Sequence, residues 1–147
     1  MSAAARAVRL PLRPSADDLV ALSGVLAAWQ AARPGRALEA ALLGVTPEIA
    51  GAPWPQGTRL VALDHSVAMI RTVWAGAAAR PAAAFAVCAD WRRLPISAGR
   101  FDVMAGDGAF NVLGSYADYD AVLGALRAAL DPAGRLVLRF FMRPDRA

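Results

Sequence analysis

Apolar positions along this chain fall into two rhythms that alternate from end to end. From Ser15 the stretch SADDLVALSGVLAAWQAA sets Leu19, Leu22, Val25, Leu26 and Trp29 at helical spacing, behind a capping Ser and two early acids. Pro34-Gly35 ends that helix. Leu38 to Leu43 is an apolar run. ALEAALL favours helix by propensity, but the turn signal after it and the alternation downstream decide for a buried strand. A short helix follows Pro47 and is stopped by Pro53 and Pro55. Arg59 to Leu63 predicts a second strand. His65-Ser66 opens a helix with Val67, Ile70, Val73 and Trp74 on one face. Ala83 to Cys88 reads as a third buried strand and Phe101 to Met104 as a fourth. Tyr119 to Leu130 reads as a helix with Val122, Leu123, Leu126 and Leu130 inward. Asp131 to Gly134 is a turn, and Arg135 to Phe141 (RLVLRFF) a fifth strand.

Strand alternating with helix five times implies an α/β fold, a parallel sheet with helices on both faces. The expected strand order is 3-2-1-4-5, with ligand at the carboxyl ends near the switch point between strands 1 and 4. The turns at that edge carry Gly44-Val45-Thr46, Asp64-His65-Ser66, Asp90-Trp91 and Gly106-Asp107-Gly108. Gly44 permits a tight turn where a Cβ would crowd a ligand. Thr46 suits an N-cap, Pro47 the first helical position and Glu48 the positive helix start. Asp64, about 20 residues beyond the glycine turn, is placed to accept the hydroxyls of a ribose. It is equally placed to cap the following helix, and these residues alone leave both roles open.

Composition narrows the partners. The 147 residues suit one domain, 15–147, behind a loose arm over 1–14. All sixteen basic residues are arginine and the net charge is +4, but the arginines are scattered. This disfavours a nucleic-acid surface. No apolar run is long enough to span a bilayer, and Pro11 and Pro14 interrupt the basic start, so no secretory signal or membrane partner is expected. One Cys and one His leave no basis for a disulfide or a protein-built zinc site. The expected compartment is the cytoplasm.

LLGVTPEIA, then WP, then LDHSVAMI resembles the first two βα units of class I S-adenosylmethionine (SAM)-dependent methyltransferases. More narrowly it is similar to a subgroup with LGVTPE in place of GxGxG. The likeness runs over roughly residues 36 to 143. It implies a Rossmann-like methyltransferase fold that binds SAM and passes a methyl to a small-molecule acceptor. The leading helix would flank the sheet and cover the cofactor.

The resemblance also implies roles for residues. Asp64 would hold the ribose, with His65 beside it as a surface or capping residue. Met69 would lie against adenine or simply on the apolar helix face. Asp90 would accept from the adenine amino group and Trp91 would pack on the ring. Gly106 to Phe110 would lie beside the methionine part and the methyl. Asp107 is a candidate base, with a structural or SAM-binding role equally open. Only one glycine remains of the usual three, so Gly44, Thr46 and Glu48 would meet the methionine carboxylate and amine by other contacts, with Glu48 binding the amine. Relatives normally carry two strands beyond the fifth. The sequence therefore reads as shortened there, and an apolar edge at Arg135 to Phe141 would recruit a second copy or a partner chain. Two other functions share parts of the pattern: a non-catalytic module that binds SAM or a partner, and a nicotinamide-dependent oxidoreductase. The latter lacks its GxGxxG and any hydride-site pair.

Overall fold

The computed structural model describes residues 13–77 and 79–141. The expectations for residues 1–12 of the arm and for 142–147 lie outside the described residues.

Five strands form one parallel sheet in the order β3-β2-β1-β4-β5. They are β1 (Glu39–Leu43), β2 (Arg59–Asp64), β3 (Ala83–Cys88), β4 (Phe101–Asp107) and β5 (Leu130–Arg139). The order is the one the alternation implies, with its switch point between β1 and β4. Every residue of β1 is buried, because helices cover both faces of a central parallel strand. That tertiary setting overrides the helix propensity of ALEAALL.

Helix α1 (Val20–Ala32) turns Leu22, Leu26 and Trp29 onto one face of the sheet. There they meet Ala40, Leu42, Leu60, Ala62, Val103 and Ala105, the alternate residues of β1, β2 and β4. On the same face lie Ile49 of α2 (Pro47–Ala50) and Trp74. Helix α3 (Val67–Met69) is capped by Ser66 and continues as a π-helical turn over Ile70–Trp74. The opposite face packs Leu43, Leu63 and Met104 against Val122, Leu126 and Ala129 of α4 (Tyr116–Ala129).

Several boundaries differ from the sequence pattern. β3 is an edge strand rather than a buried one: Phe85 is 54% exposed and Cys88 is exposed. No helix forms between Cys88 and Phe101; from this connection Ala89 is buried in the second core layer, and Trp91, Leu94 and Ile96 pack against it half-buried. β4 runs on through Gly106 and Asp107, leaving Gly108 alone to make the turn at φ +60°. α4 begins at Tyr116 behind Ser115, whose hydroxyl accepts from the Asp118 N–H, and its Leu123 faces outward. Val67 is likewise exposed. Asp131 to Gly134 do not end the element before β5. Leu130 already pairs with Phe101, and pairing resumes at Val103 with Arg135, so the four residues form a bulge within the strand. Phe140 and Phe141 lie beyond β5. Among the described residues, β5 has β4 as its one neighbour in the sheet.

The amino end of the sheet is tied by buried charge. Asp102 accepts from Arg36 Nη2 at 2.9 Å and from the Glu39 N–H at 3.0 Å, while Glu39 pairs with Arg59 and Arg100. This network lies at the opposite end of the strands from the turns that carry the candidate chemistry.

Candidate functional site

At the carboxyl edge, the turns after β1, β2, β3 and β4 close around a cavity of about 350 Å³. Gly44, Thr46, Glu48, Asp64, Met69, Trp91 and Asp107 all line it. Gly44 sits at φ +97°, a left-handed conformation that a Cβ disfavours, and its N–H donates to the Leu63 carbonyl at 2.8 Å. The β1 turn is thereby tied to the end of β2, next to Asp64.

Asp64 serves one of its two readings visibly. Its Oδ1 accepts from the Ser66 N–H at 2.8 Å, which steadies the entry to α3. Oδ2 lies on the Gly44 side and has no hydrogen-bond partner among the described residues. Asp64 is 8% exposed, so its carboxylate is largely buried while Oδ2 keeps no partner among the described residues.

Glu48 stands in the first turn of α2. Arg13 Nε meets its Oε1 at 2.7 Å, and Oε2 is buried without a partner among the described residues. Thr46 takes the N-cap position but makes no side-chain cap bond. Its hydroxyl is therefore not committed to the helix end.

Trp91 is the wall between two spaces. Its Nε1 donates to the Leu63 carbonyl at 2.7 Å, fixing the indole across the end of β2. On its far side lies a second cavity of about 260 Å³, lined by His65, Asp90, Arg92 and Val112 among others. His65 and Asp90 therefore fall outside the first cavity but in the adjoining one. Asp90 is bound to Arg92: Oδ1 accepts from the backbone N–H at 2.9 Å and from Nε at 3.0 Å, and Oδ2 from Nη2 at 2.8 Å. These bonds hold the Asp90 carboxyl down to about 2. Arg92, raised by Asp90 and then by Asp118, stays charged. The adenine-amino role implied for Asp90 thus competes with Arg92 for its lone pairs.

Asp107 closes the β4 side. Its Oδ1 accepts from Arg139 Nε at 2.6 Å, and Arg139 Nη1 approaches Asp18 Oδ2 at 3.5 Å. The Asp107 hydrogen bond, opposed by desolvation and helped by the charges of Asp107, Asp18 and Glu48, raises the Arg139 pKa. Gly106 does not line the cavity. A Cβ there would stand 3.0 Å from Leu138 and 3.2 Å from Leu43, so glycine at this position serves strand packing. Gly108 lies against the Phe141 ring.

The site also holds residues the sequence pattern does not flag. Arg13 lines it from the start of the described chain and Val112 from the turn after β4, while Arg139 touches it through its bond to Asp107. None belongs to a local motif. Among the described residues, no three His, Cys, Asp or Glu side chains gather as a metal-sized group, and no helix is long and apolar enough to cross a membrane.

A five-stranded parallel sheet in this order recurs in known structures. SAM-bound CalS10, an amino pentose methyltransferase from Micromonospora echinaspora, superposes over all of this chain and 59% of its own, with TM-score 0.64 and 24% identity. The chain adopts the class I SAM-dependent methyltransferase fold. A TehB-like SAM-dependent methyltransferase from Corynebacterium glutamicum matches 83% of this chain and 66% of its own, with TM-score 0.58 and 21% identity. The [4+2]-cyclase SpnF shares this methyltransferase fold too, over 80% of this chain and 43% of its own, with TM-score 0.57 and 15% identity. This chain thus spans about two fifths to two thirds of the length of these three structures. No protein-family model matches the sequence, and no curated protein does.

Proposed function

We propose that the 350 Å³ cavity binds SAM and that the chain directs transfer of its methyl to a small-molecule acceptor. The observation that carries this is the meeting, in one space, of a left-handed glycine turn, an unpaired Asp64 oxygen, the Trp91 face and Asp107. The residues suit the group. Asp64 Oδ2 is placed for a ribose hydroxyl, and the buried Oε2 of Glu48 lacks the donor that an amino group brings. Trp91 offers a flat apolar face, and the adjoining cavity behind it extends the space toward His65 and Asp90.

When bound, SAM supplies a methyl already activated on a sulfonium. The chain's task is then to align the acceptor and keep water out. Leu43, Val73 and Ala109 give the cavity apolar walls, while Arg13 and Glu48 set opposite charges at its rim. The CalS10 structure is a methyltransferase with SAM bound, which supports the same ligand here; SpnF supports keeping binding and turnover apart, since one fold hosts different reactions. Calorimetric titration with SAM, S-adenosylhomocysteine and NAD tests the reading. Micromolar-range binding of the first two without NAD is expected. NAD binding more tightly than SAM overturns it.

A further inference from the structure

Helix α1 carries no charge: its thirteen residues, VALSGVLAAWQAA, hold neither an acid nor a base. One face is used, with Leu22, Leu26 and Trp29 buried against the sheet. A helix with a single buried face ordinarily turns charged residues outward. On α1 the outward positions include Ala21, Gly24, Ala28 and Ala32, all exposed. Val20 is 64% exposed.

These small residues form one wall of a groove of about 580 Å³, and Ala133 and Arg135 of β5 form another. From Ala21 to Ala32 the wall is about 17 Å long, three helical turns. Arg33 and Arg135 line the groove, and no acid does. The Arg33 guanidinium stands over the Trp29 ring, 5.6 Å from its centroid, which holds it at the end of the helix. Asp17 is exposed at the other end, three residues before α1 begins. Among the described residues, neither Asp17 nor Arg33 has an ion-pair partner. At helical rise the two are about 24 Å apart.

We infer that this face of α1 is a self-association surface, and that its occupant is the same face of a second copy packed antiparallel. A two-fold beside Val25, midway between Asp17 and Arg33, brings Asp17 of each copy to Arg33 of the other. One symmetric contact then meets both charges, twice. Parallel pairing would set acid against acid and base against base. Burial of the uncharged wall supplies the attraction, and the charges at its ends set the orientation. Small side chains let the two helices approach closely, and Gly24 lies next to the axis. The contact is independent of the SAM reading, since no residue of α1 lines the 350 Å³ cavity.

Sedimentation velocity over a dilution series tests this, with thermal melting of the dilute chain as the control for folding. The wild type should pass from monomer to dimer as concentration rises. Gly24→Glu is the most informative variant. A Cβ at Gly24 meets nothing within 4 Å in the single chain, and glycine is a poor helix former, so the variant should melt no lower. Its dimer should weaken roughly tenfold or more, because two like charges meet beside the axis. Asp17→Arg and Arg33→Glu should each weaken self-association by a similar factor, since each sets like charges together. Mixed in equal amounts, those two variants should form a heterodimer tighter than either homodimer, because both contacts are again between opposite charges. A wild type that stays monomeric at every concentration overturns the proposal. So does a dimer that Gly24→Glu leaves intact, which would place the interface elsewhere, such as the edge of β5. A mixture no tighter than its components overturns the antiparallel contact and the proposal with it.

Discussion

Gly44 and Asp64 face each other across the floor of the cavity: a Cβ on Gly44 would stand 3.9 Å from Asp64 Oδ2. That distance is ordinary contact, so space alone would tolerate alanine. The backbone would not, because φ is +97°. Gly44→Ala should destabilise the fold by about 1–2 kcal/mol through left-handed strain. It should also weaken ligand binding by narrowing the approach to Oδ2. Thermal melting and calorimetry on one preparation separate the two effects.

Trp91 carries two functions that substitution can split. Trp91→Phe keeps an aromatic face but loses the Nε1 bond to the Leu63 carbonyl. It should cost about 1 kcal/mol of stability and largely retain SAM affinity. Trp91→Ala removes the wall between the two cavities and should lower SAM affinity as well. Unchanged affinity in Trp91→Ala would place the adenine pocket elsewhere.

The Asp90–Arg92 pair gives a pH signature. Native Asp90 titrates at about 2, below its ordinary 3.8. A depressed carboxyl contributes stability above its unfolded pKa and loses it as pH falls through the folded value. The contribution should therefore be intact above about pH 4 and gone near pH 2. Both side chains are largely exposed, so the effect is small. Carbon-detected NMR titration should show the Asp90 midpoint rising toward the ordinary value in Arg92→Gln. A midpoint already ordinary in the wild type would contradict the pairing.

Asp102 provides the control. Its loss strands the Glu39 N–H and Arg36 at the far end of the sheet. Asp102→Ala should lower stability by about 1–3 kcal/mol, the cost of leaving the buried Glu39 N–H without its acceptor, because Arg36 itself is half exposed. SAM affinity of the folded fraction should not change.

Much of this architecture was legible because buried parallel strands read as short apolar runs between turn residues. Gly44, Asp64, Trp91 and Asp107 were found for the same reason: they sit where such runs end. What escaped depended on neighbours rather than on local pattern. Ala83 to Cys88 has the composition of a central strand, yet its place at the sheet edge leaves Phe85 half exposed. Asp131 to Gly134 has turn chemistry, yet Leu130 is held against Phe101 and the turn residues become a bulge. Arg13 and Arg139 gave no signal, since their partners Glu48 and Asp107 are remote in sequence and scattered arginines look alike.

Ribose binding by Asp64, in the cavity it lines, is the interaction on which the proposed function depends. The most direct measurement is calorimetry of S-adenosylhomocysteine against the wild type and Asp64→Ala, side by side. The prediction is micromolar-range binding by the wild type, weakened roughly 10- to 150-fold by the substitution, the equivalent of about 1.5–3 kcal/mol for a hydrogen bond to a charged group. Equal affinity of the two proteins, or no binding by either, would contradict it.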